Sequence, residues 1–125
     1  MGKIIKKRFD LFVKERDAEI AETFELDKDI KYVKGLLVTA DRDDLLYYRG
    51  SQKIEINKEE YFPEKYESKL LMSGINVAPN SRYYDLGKVE TGNGLIKVTY
   101  KDTENQMAGF NAYRVSIYVL CELAD

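Results

Sequence analysis

The side chains that could do chemistry are few. Histidine is absent, so neither Ser-His-Asp nor Cys-His catalysis can be assembled, and no metal site can have a histidine ligand. Cys121 is the single cysteine, too little for a zinc site or an intramolecular disulfide. It stands in an apolar alternating row and reads as a buried, inert thiol. Asp41-Arg42-Asp43-Asp44 could offer carboxylates to calcium, but it lacks the ligand spacing of a calcium loop, and Arg42 opposes a cation. It reads as a solvated turn. Glu59 and Glu60 with Glu64 could be the paired carboxylates of a glycosidase; nothing marks one as desolvated, and they read as a charged loop. No glycine-rich phosphate cradle is present. The chain therefore offers no catalytic residues, no cofactor site and no metal site, and is read as a non-enzyme.

Binding chemistry is better represented. Ten tyrosines are more than a core of this size needs. Tyr47-Tyr48 and Tyr83-Tyr84 are adjacent pairs, and successive strand residues point to opposite faces, so one of each pair must lie outside or in an interface. Tyrosine suits interfaces, having an apolar ring and a hydroxyl that tolerates water. Met107 and Phe110 form a similar case in a loop: they either cap the end of the fold or anchor a partner. Residues 1–16 form a basic strand or arm, with six cations against two carboxylates, so they carry +4 while the rest of the chain carries −6. Lys6, Lys7 and Arg8 lie at its centre. Such an arm either meets an acidic partner or is the solvated face of an edge strand, where lysine discourages sheet-to-sheet pairing.

The elements that must position these residues are strands. From Ile30 to Ala40 the even positions include Ile, Tyr, Leu, Val and Ala, and from Ala112 to Glu122 Val115, Ile117, Val119 and Cys121 form one apolar row. Further strands are expected near Ile4–Val13, Glu19–Leu26, Leu45–Arg49, Lys53–Asn57, Glu67–Met72, Tyr83–Val89 and Leu95–Lys101. Asn93-Gly94 is a strong hairpin signal. Lys58–Lys69 is the best helix candidate, shortened by Pro63. Long loops are expected at Asn57–Glu67, Ser73–Arg82 and Asp102–Asn111. About eight or nine short strands with turns every 8–12 residues imply an all-β fold: one antiparallel β-sandwich domain over residues 1–125, jelly-roll-like.

Composition bounds the rest. A chain of 125 residues suffices for one domain and can hold a core without metals or disulfides. A net charge of −2 gives the whole molecule no reason to seek nucleic acid. No apolar run approaches the roughly 18 residues of a membrane span, and the basic N-terminus lacks the apolar stretch of a signal peptide. Synthesis in a cytoplasm is expected.

Three segments carry a family resemblance. Phe24-Glu25-Leu26-Asp27-Lys28-Asp29-Ile30, Leu45-Leu46-Tyr47-Tyr48-Arg49-Gly50-Ser51 and Tyr83-Tyr84-Asp85-Leu86-Gly87 resemble segments in small β-sandwich virion proteins of tailed bacteriophages. The group they resemble is the auxiliary capsid proteins of crAss-like phages, over roughly residues 20 to 122. The resemblance implies a structural virion protein that decorates or braces a capsid by protein–protein contacts. It would be made in the host cytoplasm, with the major capsid protein or other virion proteins as partners, possible homo-oligomers, no membrane and no specific nucleic acid. The other class open to such a sandwich is a small carbohydrate- or peptide-binding module.

Overall fold

A computed structural model describes residues 3–56, 59–67 (as backbone), 72, 83–92 and 94–123. Among them are β1 (Ile4–Val13), β2 (Glu19–Glu25), β3 (Ile30–Ala40), α1 (Asp43–Arg49), β4 (Gly50–Ile56), β5 (Glu59–Glu67), β6 (Tyr84–Glu90), β7 (Leu95–Asp102) and β8 (Tyr113–Leu123). The strands form two four-stranded antiparallel sheets, β1-β8-β3-β6 and β2-β7-β4-β5. The first strand pairs with the last, the second with the seventh, the third with the sixth and the fourth with the fifth. A ribbon of four such pairs, folded across itself so that β3 meets β8 and β4 meets β7, is a jelly roll.

The core lies between the sheets. Val13, Leu36, Val38, Val115, Ile117 and Val119 face Ile54, Ile56, Ile96 and Val98, all buried. Cys121 is fully buried at the end of the β8 row. The alternation of β3 does not run unbroken. Its register shifts between Ile30 and Tyr32 and between Val33 and Gly35, so Val33 turns inward while Tyr32 turns out.

Three local expectations are corrected. Leu45–Arg49 is the helix α1 and not a strand. Leu45 and Leu46 are both fully buried although adjacent, and Arg49 joins them; positions i, i+1 and i+4 share a face on a helix and cannot on a strand. Asp44 in the first turn and Arg49 in the last complement the helix dipole. The helix expected at Lys58–Lys69, and the loop expected at Asn57–Glu67, are instead the strand β5. Pro63 is accommodated because β5, among the described residues, pairs only with β4 and lies at a sheet edge, with shifted register on either side of Ile54, opposite Phe62.

The third correction concerns Asn93-Gly94, which does not close a hairpin. β6 and β7 belong to different sheets, and the turn between them carries the chain across the sandwich. Gly92 and Gly94 supply the positive φ values of 56° and 76° that this needs, and the Gly94 amide closes the turn on the Thr91 carbonyl at 2.8 Å. The strand expected at Glu67–Met72 is described only at its two ends: Glu67 closes β5 and Met72 packs on the core. Asn93 and the loop Ser73–Arg82 lie outside the described residues.

Candidate docking site

The helix α1 carries a charge into the interior. Arg49 follows Leu45 and Leu46 on the inner face and is 1% exposed. Its Nε and Nη2 donate to Asp102 Oδ1 and Oδ2 at 3.0 and 2.9 Å. Nη1 donates to the Ala108 carbonyl at 3.0 Å and to Glu104 Oε1 at 3.3 Å. Asp102 ends the inward row Ile96, Val98, Tyr100 on β7 and is fully buried. Its oxygens also accept the Tyr113 hydroxyl at 2.7 Å and the Asp17 amide at 3.0 Å, while Tyr113 and Tyr100 share a hydrogen bond at 2.8 Å. Among the described residues no buried side-chain nitrogen or oxygen lacks a partner. A fully paired network of this kind is about neutral in stability against an apolar replacement, but it fixes one geometry.

Charge follows from these contacts. Burial pushes the Asp102 carboxyl up, but hydrogen bonds from Arg49, Tyr113 and the Asp17 amide outweigh it and hold the group below the usual carboxylate range. Burial drives the phenols of Tyr100 and Tyr113 well above their ordinary value, and at Tyr113 the neighbouring Tyr100 and Asp102 add to the effect. The hydrogen bonds of Asp102 keep the Arg49 guanidinium charged against the cost of burial. The Asp102 carboxylate is closed off from solvent, with both oxygens doubly engaged, so its chemistry is that of a structural hub.

The hub holds an end loop in place. The Thr103 amide donates to the Arg49 carbonyl at 2.9 Å, and the Phe110 ring lies 5.3 Å from the guanidinium. Between them Asn105–Ala108 makes a tight turn, with the Ala108 amide on the Asn105 carbonyl at 3.2 Å and the Met107 amide on Asn105 Oδ1 at 2.8 Å. Asn105 Nδ2 then donates to the Tyr48 carbonyl at 3.1 Å, tying the turn to the helix. Met107 at the tip of this turn is 67% exposed, and on the helix to which Asn105 ties it Tyr47 and Tyr48 are 48% and 40% exposed, with rings 5.0 Å apart and edge-on. Tyr47, Tyr48 and Met107 thus form one apolar end patch, whereas the half-buried Phe110 belongs to the base beneath it.

The other residues singled out from the sequence lie elsewhere. Lys6 and Arg8 project from the outer face of the β1-β8-β3-β6 sheet, over the rings of Tyr83 and Tyr118 at 5.8 Å each. Tyr83 crosses Gly35, where an added Cβ would come within 3.0 Å of the Tyr83 Cβ. Tyr84, at the start of β6, is 42% exposed. Lys7 points the other way and reaches Asp27 at 2.8 Å. Tyr83 therefore shares the outer sheet face with the basic strand, apart from Tyr47 and Tyr48, and Tyr84, opposite the inward Leu36, does not share that face. Of the acidic turn, Asp41 accepts the Arg114 amide at 2.8 Å and Asp44 pairs with Arg42 at 3.0 Å. No group of three or more potential metal ligands occurs among the described residues.

Sequence reasoning missed the hub of Arg49, Asp102, Tyr100 and Tyr113. The available signals were a cation in step with two leucines at helical spacing, and an aspartate extending the apolar row of β7. Comparison of the chain with known protein families, curated proteins and solved structures finds no match.

Proposed function

We propose that this protein is a structural component of a phage virion, decorating or bracing the capsid by docking onto the major capsid protein or another virion protein. The observation that carries the reading is the end patch: Tyr47, Tyr48 and Met107 are exposed together above a base locked by Arg49 and Asn105. Side chains on a base already ordered lose less freedom on docking, and aromatic anchors concentrate interface energy. The jelly roll serves viral capsids, lectins and cupins alike, so the fold leaves the choice to the surface. Here the exposed aromatics are scattered, Tyr47 and Tyr48 on α1, Phe12 on β1 and Tyr84 at the start of β6, an arrangement suited to contacts with protein neighbours; a pyranose chain would want one coplanar row.

The test is sedimentation of purified virions from the source cells. The protein should co-sediment in fixed, multiple copies. The triple substitution Tyr47→Ala, Tyr48→Ala, Met107→Ala should release it while the melting temperature stays within a few degrees. Absence from the particles, together with binding on a glycan array, would replace this reading with that of a carbohydrate-binding module.

A further inference from the structure

The last turn of β1 carries a ring that the core does not use. Phe12 stands between the buried Leu11 and Val13, so alternation turns it out of the sandwich, and it is 59% exposed. It pairs across the sheet with Arg114 of β8. No other ring or cation covers it among the described residues. Beside it lies an open notch of about 310 Å³, where β1 ends, β8 begins and β3 hands the chain to α1. The buried Val13 and Tyr113 form its floor.

The charges around this floor are unevenly engaged. Asp41 Oδ1 accepts the Arg114 amide at 2.8 Å, and the Asp41 amide donates to the Arg114 carbonyl at 3.2 Å. These two bonds pin the start of β8 to the end of β3 and hold the notch in shape. Arg114 gives its Nε to Ser116 Oγ at 3.1 Å, while its Nη1 and Nη2 have no hydrogen-bond partner among the described residues. The exposed Lys14 ammonium likewise has none. Glu15, next along the chain, does not line the notch. An apolar floor with one aromatic wall is thus bordered by two available cations and a carboxylate already in use.

We propose that this notch seats an acidic peptide segment of a partner protein. One large apolar side chain of the segment rests on Val13 and Tyr113 against the Phe12 ring. A neighbouring aspartate or glutamate meets Arg114 Nη1 and Nη2, a pair of donors that matches both oxygens of a carboxylate, with Lys14 adding a second positive charge. A basic segment would set its charge against both cations. The notch stands at the foot of the roughly 300–1,000 Å³ range of ligand pockets and is open to solvent, so it cannot enclose a free small molecule. A side chain of a larger partner needs no such enclosure, and a floor already ordered lowers the cost of seating it. The inference stands apart from the end patch: it requires neither Tyr47, Tyr48 nor Met107, and no virion.

The experiment follows the amide chemical shifts of the intact chain during addition of short blocked peptides, Gly-Ser-X-Asp-Glu-Ser-Gly with Leu, Ile, Met or Phe at X. At least one should bind with a Kd below about 1 mM and move the amides of residues 12–14, 41 and 113–114, which line the notch. Phe12→Ala and Lys14→Glu, both at exposed positions, should keep the wild-type melting temperature and each weaken binding at least about fivefold. Peptides with Ser at X, or with Asn-Gln in place of Asp-Glu, should lose as much. No binding by any peptide at about 1 mM, or binding unchanged in both variants, overturns the proposal. So does equal binding of the Ser peptide, which would reduce the contact to general attraction between charges. N-acetyl-leucine binding as tightly as the peptides would make the notch a small-carboxylate site and overturn the peptide as its occupant.

Discussion

Arg49 and Asp102, 53 positions apart in the chain, meet as a bidentate pair in the interior, with two charge-assisted hydrogen bonds of 3.0 and 2.9 Å and no exposure of either side chain. The pair joins the last turn of α1 to the last residue of β7. It thereby decides where the β7–β8 loop stands.

Removing one partner should be far worse than removing both. Arg49→Met strands the Asp102 charge in the interior and should cost about 3–5 kcal/mol, whereas Arg49→Met with Asp102→Leu should recover much of that loss. Urea denaturation of the single and double variants measures the difference. If the single and double variants were equally unstable, the pair would not be the coupled unit described here. The double variant should still lose the end patch, since Ala108 and Glu104 lose their donor.

The same carboxylate sets an acid limit. Its pKa is lowered in the fold, so its contribution is full above the unfolded value of about 4 and is lost as pH falls through the folded one. The two buried phenols set an alkaline limit of opposite sign. Their raised values give a contribution that is full below about pH 10 and is lost above it, as the unfolded chain releases protons that the fold retains. Spectrophotometric titration should show Tyr100 and Tyr113 holding their protons until the protein unfolds. Tyr113→Phe should remove one of the late-titrating phenols. A single titration step for all the tyrosines below the unfolding transition would contradict the burial.

Cys121 should be silent toward reagents. Burial pushes its thiol up to about 11, so little thiolate exists at neutral pH, and the side chain has no solvent contact. Labelling by a polar thiol reagent should occur only at the rate of opening, and denaturant should accelerate it strongly. Cys121→Ser should cost about 1–3 kcal/mol, because the hydroxyl is a stronger polar group in the same apolar surroundings. Rapid labelling of the native protein would show the β8 row to be open.

The sequence by itself determined the class of fold and the extent of most strands. β1 and β3 occupy the spans that alternation marks out, because a strand buried on one face must show period 2 wherever its register is unbroken. The inward setting of Cys121 follows from the same rule. What alternation cannot express is partner choice. Asn93-Gly94 looks like a hairpin because the turn chemistry is local, yet its flanking strands lie in different sheets, where longer-range pairing with β2, β3 and β4 holds them. Five residues at 45–49 are too few for a period to show, so burial of adjacent leucines against the core decided for helix. Pro63 reads as a breaker until a sheet edge supplies a place where its missing amide costs nothing.

The candidate site divides in the same way. Strand alternation would set one of Tyr47 and Tyr48 outside, whereas on the helix α1 both are exposed, and the sequence left open whether Met107 caps the fold or stands outside it. That Tyr48 and Met107 stand together, while Tyr83 lies across Gly35 on another face, was decided by tertiary contacts between residues far apart in sequence. Arg49 and Asp102 are each, on their own, ordinary charged residues expected at the surface. Only the fold brings them within 3 Å, and only there does each make burial of the other tolerable, because their attraction and hydrogen bonds offset the desolvation penalty that each would carry alone.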